Sequence, residues 1–167
     1  ILYLNIIMKK IQFIIESFKN LKQVGTILPS SKSIVKKMID PINFQKDITI
    51  LELGSGTGVI TKKIINKMNS NSKLICFEIN KEFNQELKQI MNENMILIND
   101  SAEKINFYLN ELKIEKVDYI ISSVPLLTLP EKTTNKILEI CSKIIGGRGK
   151  FVQLQYSKLL DKKIKTY

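Results

Sequence analysis

The sequence predicts an α/β protein: a doubly wound, mostly parallel sheet of five strands with helices on both faces. Three observations lead there. From residue 48 onward, short apolar runs rich in β-branched residues alternate with amphipathic stretches of helical period. The first run, Ile48-Thr49-Ile50, passes directly into Leu51-Glu52-Leu53-Gly54-Ser55-Gly56-Thr57-Gly58, an apolar strand entering a glycine-rich turn that opens a helix. Polar residues then recur where the later strands end, the side on which such sheets bind ligands.

Taken in order, strands are expected over 48–53, 73–78, 95–99, 117–122 and 149–156, each short and apolar. Helices are expected over 59–69, 80–91, 102–112 and 131–144. In the first of these, Val59, Ile60, Ile64, Ile65 and Met68 recur at helical spacing. Ser101 is placed to cap the third helix and Pro130 to begin the fourth, which Gly146-Gly147 should close. Strands alternating with helices of this length imply crossover connections and helices on both sides of one sheet. A further helix is expected over 31–39, and another over about 9–23, where Ile11, Ile14, Ile15, Phe18 and Leu21 share a face.

Composition narrows the chemistry. A chain of 167 residues, 44% hydrophobic and with only four prolines, is long enough for one sizeable core. It contains no histidine, which excludes a Ser-His-Asp arrangement and the commonest general base. Cys76 and Cys141 lie in separate apolar runs, so buried free thiols are expected and no metal site. What remains is cofactor-driven chemistry, or binding alone. The net charge of +10 favours anionic partners, nucleic acid or an acidic membrane surface. Eight lysines (Lys9, Lys10, Lys19, Lys22, Lys32, Lys36, Lys37 and Lys46) stand against only Glu16 and Asp40 in the first part of the chain.

The glycine spacing carries the most information. Glu-x-Gly-x-Gly-x-Gly, with an acid two places before the first glycine, departs from the Gly-x-Gly-x-x-Gly of dinucleotide binders. It resembles motif I of the class I S-adenosylmethionine-dependent methyltransferases. Glycine here lets the backbone turn tightly and approach a ligand closely. Glu78, about twenty residues on at the end of strand two, offers two acceptor oxygens to two ribose hydroxyls, or is an ordinary solvated acid. Asp100 either accepts the adenine amino group, with Ser101 and Ala102 along the ring edge, or caps the following helix. Glu52 either orders the glycine turn or reaches the methionine ammonium. The expected cofactor shell is thus Glu52, Gly54, Ser55, Gly56, Thr57, Gly58, Glu78, Ile79, Asp100, Ser101, Ala102 and Ser122.

Three more segments narrow the family. These are Gly25-Thr26-Ile27-Leu28-Pro29-Ser30-Ser31, Ser122-Ser123-Val124-Pro125-Leu126-Leu127-Thr128-Leu129-Pro130, and Phe151-Val152-Gln153-Leu154-Gln155-Tyr156-Ser157. With motif I they resemble the bacterial phospholipid N-methyltransferase family, related in fold to the rRNA adenine dimethyltransferases. The resemblance runs from Gly25 to Ser157 and implies a Rossmann-like class I methyltransferase fold. It also implies S-adenosylmethionine as cofactor and the amine of a phosphatidylethanolamine-type phospholipid as substrate. Enzymes that methylate the amine of a base carry an aromatic residue in the turn after strand four, which stacks on the flipped base. Here Leu126 and Leu127 stand in that place and are expected to line an apolar mouth. Ser123, Val124 and Pro125 form the expected reacting end, with backbone carbonyls of 122–124 orienting the amine. Tyr156 does the same or packs. At least one of Gln153 and Gln155, polar in a strand covered on both faces, is expected to border the site.

The expected organisation is a single methyltransferase domain over 1–167: an N-terminal helical segment at 1–46, a cofactor-binding core at 47–157, and 158–167 as the start of a truncated C-terminal part. The family resembled ends in an antiparallel strand pair that this chain is expected to lack. Met8 is the expected natural start. The helix over 9–23 is read either as packed on the sheet edge or as an interfacial helix drawn to anionic lipid. The enzyme is accordingly expected to be cytoplasmic and peripheral on the inner face of the membrane. Two alternatives stand beside the lipid reading: an rRNA adenine N6-methyltransferase, and a non-catalytic basic module of the same fold binding membrane or RNA.

Overall fold

The computed structural model describes residues 29–154. The expected helix over 9–23, the residues Gln155, Tyr156 and Ser157, and the segment 158–167 lie outside the described residues. Helix α1 (Pro29–Ile39) precedes β1 (Thr49–Leu53), α2 (Val59–Ile65), β2 (Lys73–Phe77), α3 (Lys81–Lys88) and β3 (Met95–Ile98). A 3-10 turn (Ala102–Lys104) then leads into α4 (Ile105–Glu111) and β4 (Tyr119–Ser122). A second 3-10 turn (Leu126–Thr128) precedes α5 (Glu131–Ile145) and β5 (Lys150–Gln153).

The five strands pair in the order β3-β2-β1-β4-β5, every pair parallel. Because successive side chains point to opposite faces, each strand contributes to two cores. Ile50, Leu74, Cys76 and Ile121 pack with Val35 and Met38 of α1, Ile60 and Ile64 of α2, and Leu87 of α3. Leu51, Leu53, Ile75, Phe77 and Ile120 pack on the other face with Ile105 and Leu109 of α4 and Ile137 and Cys141 of α5. This is the doubly wound sheet the alternating pattern predicts. Cys76 and Cys141 are both buried and free.

Register sets up the site. Leu53 lies opposite Phe77 on one side and Ser122 on the other, Phe77 opposite Ile98, and Ser122 opposite Gln153. All five strands therefore finish in one row, and the loops leaving that row are the glycine turn, Glu78, Asp100 and the Ser123-Val124-Pro125 turn. β1 and β4 are the central neighbours from which the chain winds outward in opposite directions, the position where open α/β sheets receive ligands.

Helix boundaries differ modestly from expectation. The first core helix stops at Ile65 and not at residue 69, because the N–H groups of Lys67 and Met68 share the Ile64 carbonyl and close the chain into a turn. Asn80 lies outside α3 as its cap, its side-chain oxygen accepting from Glu82 and Phe83 N–H at 2.8 and 3.2 Å. The stretch after Ser101 begins as a 3-10 turn, capped by the Ser101 hydroxyl, before becoming α4. Gly146 ends α5 in the left-handed region, as its position predicts. Among the described residues no helix is long and apolar enough to cross a membrane.

Candidate active site

The glycine turn is tied to β2. Gly54 and Ser55 donate their N–H groups to the Phe77 carbonyl at 2.8 and 3.3 Å, and Gly56 N–H donates to Glu78 Oε2 at 2.8 Å. The other carboxylate oxygen of Glu78 accepts from Asn80 N–H at 2.8 Å. Its carbonyl is held by the side-chain amides of Asn84 and Asn99, both at 2.8 Å. Glu78 is thus fixed from three directions, with a further lone pair on each oxygen for an incoming donor. Gly58, at φ +77°, begins α2, and a Cβ there would stand 2.7 Å from Ile90 Cδ1. Gly56 is different: at φ +54°, a Cβ added to it would meet nothing within 4 Å. Open space beside Gly56, edged by a positioned carboxylate, suits a ribose with two hydroxyl groups.

Glu52 turns away from that space. Its side chain is 1% exposed and sits between β1, β2 and α2. Oε2 accepts from Thr61 Oγ1 at 2.8 Å and contacts Cys76 Sγ at 3.4 Å. Oε1 and the buried Ser55 hydroxyl lie in the same pocket of polar atoms, neither in a hydrogen bond of good geometry. Burial pushes the Glu52 carboxyl up to about 7, and the nearby Glu78 charge adds to the rise, while the polar groups of Thr61, Cys76 and Ser55 oppose it. Of the two roles open to Glu52, the geometry supports the ordering of the turn: it clamps the first turn of α2 to β1.

Asp100 forms the third corner. Oδ2 accepts from Lys104 Nζ at 2.9 Å and Tyr108 Oη at 2.8 Å, and Oδ1 from Ser101 N–H at 2.7 Å. Lys104, the Ser101 N–H and Tyr108 together hold its carboxyl at about 2, so it is a fixed anion. The Tyr108 ring meets Phe77 edge-on at 5.7 Å, which anchors this corner to β2. The cap of the following turn is Ser101 and not Asp100, so the Asp100 carboxylate is directed to Lys104 and Tyr108 while Oδ1 keeps a spare lone pair. Ala102 is buried in the core, and Ile79 beside Glu78 is 72% exposed.

The turn after β4 corrects two expectations. Leu126 does not line a mouth: it is 2% exposed and packs in the core against α5, because the 3-10 turn rotates it inward. Leu127 alone faces outward, 47% exposed. Nor are all the carbonyls of 122–124 open to a substrate. That of Ser122 accepts Leu154 N–H at 2.8 Å, and that of Val124 accepts both Leu126 N–H at 2.8 Å and Gln153 Nε2 at 2.9 Å. Among the described residues the Ser123 carbonyl receives no donor. Ser122 is buried at the strand end, while Ser123, Val124 and Pro125 are half-buried. Gly54 abuts this turn: a Cβ there would stand 3.3 Å from both Val124 Cγ2 and Val124 N.

The structure therefore brings the glycine turn, Glu78, Ile79, Asp100, Ser101, Ser122 and the 123–125 turn to one edge of the sheet, and sets Glu52 and Ala102 beneath it. Tyr156 lies outside the described residues. Sequence reasoning missed the supporting partners Thr61, Asn84, Asn99, Lys104 and Tyr108. Only the i, i+4 spacing of Asp100 and Lys104 carried a local signal for any of them.

Comparison with known proteins identifies the family and the fold. Residues 18–155 match the family model described as ribosomal RNA adenine dimethylase. A ribosomal RNA small subunit methyltransferase A of Ureaplasma parvum is 30% identical over 158 residues, 90% of this chain and 54% of that protein. An ornithine lipid N-methyltransferase of Singulisphaera acidiphila is 22% identical over 144 residues, 85% of this chain and 75% of that protein. The chain thus spans about half the length of the ribosomal relative. Among solved structures, a mycolic acid cyclopropane synthase complexed with SAH superposes with a TM-score of 0.64 at 15% identity, covering 84% of this chain and 48% of that one. The N-methyltransferase NodS of Bradyrhizobium japonicum, in complex with S-adenosyl-L-homocysteine, gives 0.57 at 12% identity, covering 70% and 57%. The fold is that of the class I methyltransferases, and the chain belongs to the ribosomal RNA adenine dimethylase family of S-adenosylmethionine-dependent enzymes.

Proposed function

We propose that this chain is an S-adenosylmethionine-dependent N-methyltransferase acting on the amine of phosphatidylethanolamine-type lipids, working from the cytoplasm at the inner face of the membrane. The observation that carries the substrate assignment is the turn after β4. No aromatic side chain occurs between Ser122 and Pro130, Leu126 is withdrawn into the core, and the exposed residue is the aliphatic Leu127. A flipped base would find no ring there to stack on, whereas an acyl chain meets an apolar edge. The lipid N-methyltransferase among the relatives supports the same reading.

The cofactor, when bound, supplies an electrophilic methyl group. The chain's own residues do the rest. Glu78 would take the ribose hydroxyls, Asp100 Oδ1 the adenine amino group, and the space beside Gly56 would admit the ribose. At the turn after β4 the amine must be neutral to react. An alkylammonium with a pKa near ~10 is neutral in roughly one molecule in a thousand at pH 7. Half-buried Val124 and Pro125 with Leu127 exclude water and favour the neutral form. The Ser123 carbonyl would accept an N–H of the amine and hold its orientation.

A second reading, methylation of an adenine amine in ribosomal RNA, is favoured by the family match and by the +10 charge. Radiolabelled methyl transfer to phosphatidylethanolamine vesicles and to ribosomal RNA, run in parallel, separates the two. Label in the lipid is the expected result. Label in RNA alone would overturn the lipid assignment. Label in neither, with cofactor bound, would assign the chain to binding without catalysis.

A further inference from the structure

Gln153 is the one polar side chain that β5 places in the row of strand ends, opposite Ser122. Its Nε2 lies 2.9 Å from the Val124 carbonyl and 2.7 Å from the Leu154 carbonyl. Both N–H groups are thereby spent. The orientation of the amide is also settled, since the flipped form would set Oε1 against two carbonyl oxygens. What remains is Oε1, buried and without a hydrogen-bond partner. Buried acceptors are nearly always satisfied, and one left over in a strand-end row calls for a donor.

We propose that Gln153 presents the acceptor amine for methylation: Nε2 locks the Val124 carbonyl, and Oε1 receives an N–H of the amine beside the Ser123 carbonyl. The inference rests on the reading of the chain as an amine methyltransferase, and holds for a lipid amine or a base amine alike. A primary amine whose lone pair points at the methyl still has two N–H groups that need acceptors. The Ser122 carbonyl is taken by Leu154 N–H, and the Val124 carbonyl by Leu126 N–H together with Gln153. Among the described residues, the Ser123 carbonyl and Gln153 Oε1 are the amide oxygens at this turn that accept no hydrogen bond. Ser123 carries a hydroxyl and no amide, and the amide beside it comes from the neighbouring strand. Gly54 packs on Val124, so the amide stands one residue away from the glycine turn.

The test uses the full chain, Gln153→Met and Gln153→Glu. Met keeps the length and removes both hydrogen-bonding atoms; Glu keeps an acceptor and loses the donors. S-adenosylhomocysteine affinity by calorimetry should stay within about twofold in Gln153→Met, while kcat for the acceptor that the wild type labels falls roughly 10²-fold. Gln153→Glu should recover kcat as pH falls, because a protonated carboxyl again donates to the Val124 carbonyl. That trend opposes the usual rise of amine methylation with pH and ties the loss to the donor on the Val124 carbonyl. Independently of turnover, the Gln153 side-chain amide can be followed by nitrogen-15 NMR, assigned by its loss in either variant. With S-adenosylhomocysteine present, short-chain phosphatidylethanolamine should shift it. A shift with adenosine instead would sustain Gln153 and refute the lipid assignment. A signal unmoved by both amines, or kcat within threefold of wild type in Gln153→Met, would overturn the proposal.

Discussion

The Gly56 N–H donates to Glu78 Oε2 across 2.8 Å, joining the glycine turn after β1 to the end of β2. One bond thus fixes both the floor of the proposed ribose site and the carboxylate at its edge. Gly56→Val should abolish S-adenosylhomocysteine binding, since its Cβ would project into the open space and its φ of +54° strains any β-branched residue. Glu78→Ala should weaken binding by about 10- to 100-fold, the loss expected for hydrogen bonds to a charged acceptor. Calorimetry on both variants checks this, and wild-type affinity in either would place the nucleoside elsewhere.

Asp100 is predicted to titrate far below an ordinary aspartate. Lys104, the Ser101 N–H and Tyr108 hold it at about 2, against 3.8 for the free group. A depressed carboxyl contributes stability that is present above the unfolded value and lost as pH falls through the folded one. The loss from this group should therefore appear only between about pH 4 and 2. Carbon-13 titration should find the midpoint near 2 in the wild type and closer to 3.8 in Tyr108→Phe combined with Lys104→Met. An unchanged midpoint would mean that the backbone N–H alone sets it.

Much of this architecture is legible in the sequence, for definable reasons. Parallel strands buried on both faces announce themselves as apolar runs, and the glycine spacing marks where the first one ends. Tertiary direction is what the pattern does not contain. Leu126 and Leu127 are identical in sequence, yet a 3-10 turn sends one into the core and the other outward. The motif leaves Glu52 two roles, ordering the glycine turn or reaching the methionine ammonium, and only the alternation of side chains across β1, which turns it toward Thr61 and Cys76, chooses between them. The Gln153–Val124 bond joins residues 29 apart in the chain, so no local rule can anticipate it. Gln153 nevertheless draws notice in the sequence as a polar residue in a strand expected to be covered on both faces, although β5 is half-buried at the sheet edge.

The two leucines yield a paired prediction. Leu126→Ala should cost about 2–5 kcal/mol of stability, the range for truncating a buried leucine. Leu127→Ser should leave the melting temperature within about a degree or two, as exposed substitutions do. If Leu127 meets acyl chains, the serine variant should raise KM for phosphatidylethanolamine vesicles while S-adenosylhomocysteine affinity stays put. An unchanged KM would detach the apolar edge from substrate binding.

Glu52 gives the fold an unusual dependence on pH. Its carboxyl rises from 4.5 to about 7, driven first by burial. Between those values the folded state holds a proton that the unfolded state has released, so stability must fall as pH increases through that window and level off above about 7. This is the opposite of a salt-bridged carboxylate. A rise of that size corresponds to about 3 kcal/mol at most. Glu52→Gln cannot ionise, keeps an oxygen for the Thr61 hydroxyl, and should melt higher than the wild type at pH 8 while matching it near pH 5. Chemical denaturation of both proteins at pH 5, 6, 7 and 8 provides the measurement. Parallel curves would show that some other group carries the dependence, and that Glu52 reaches water in solution.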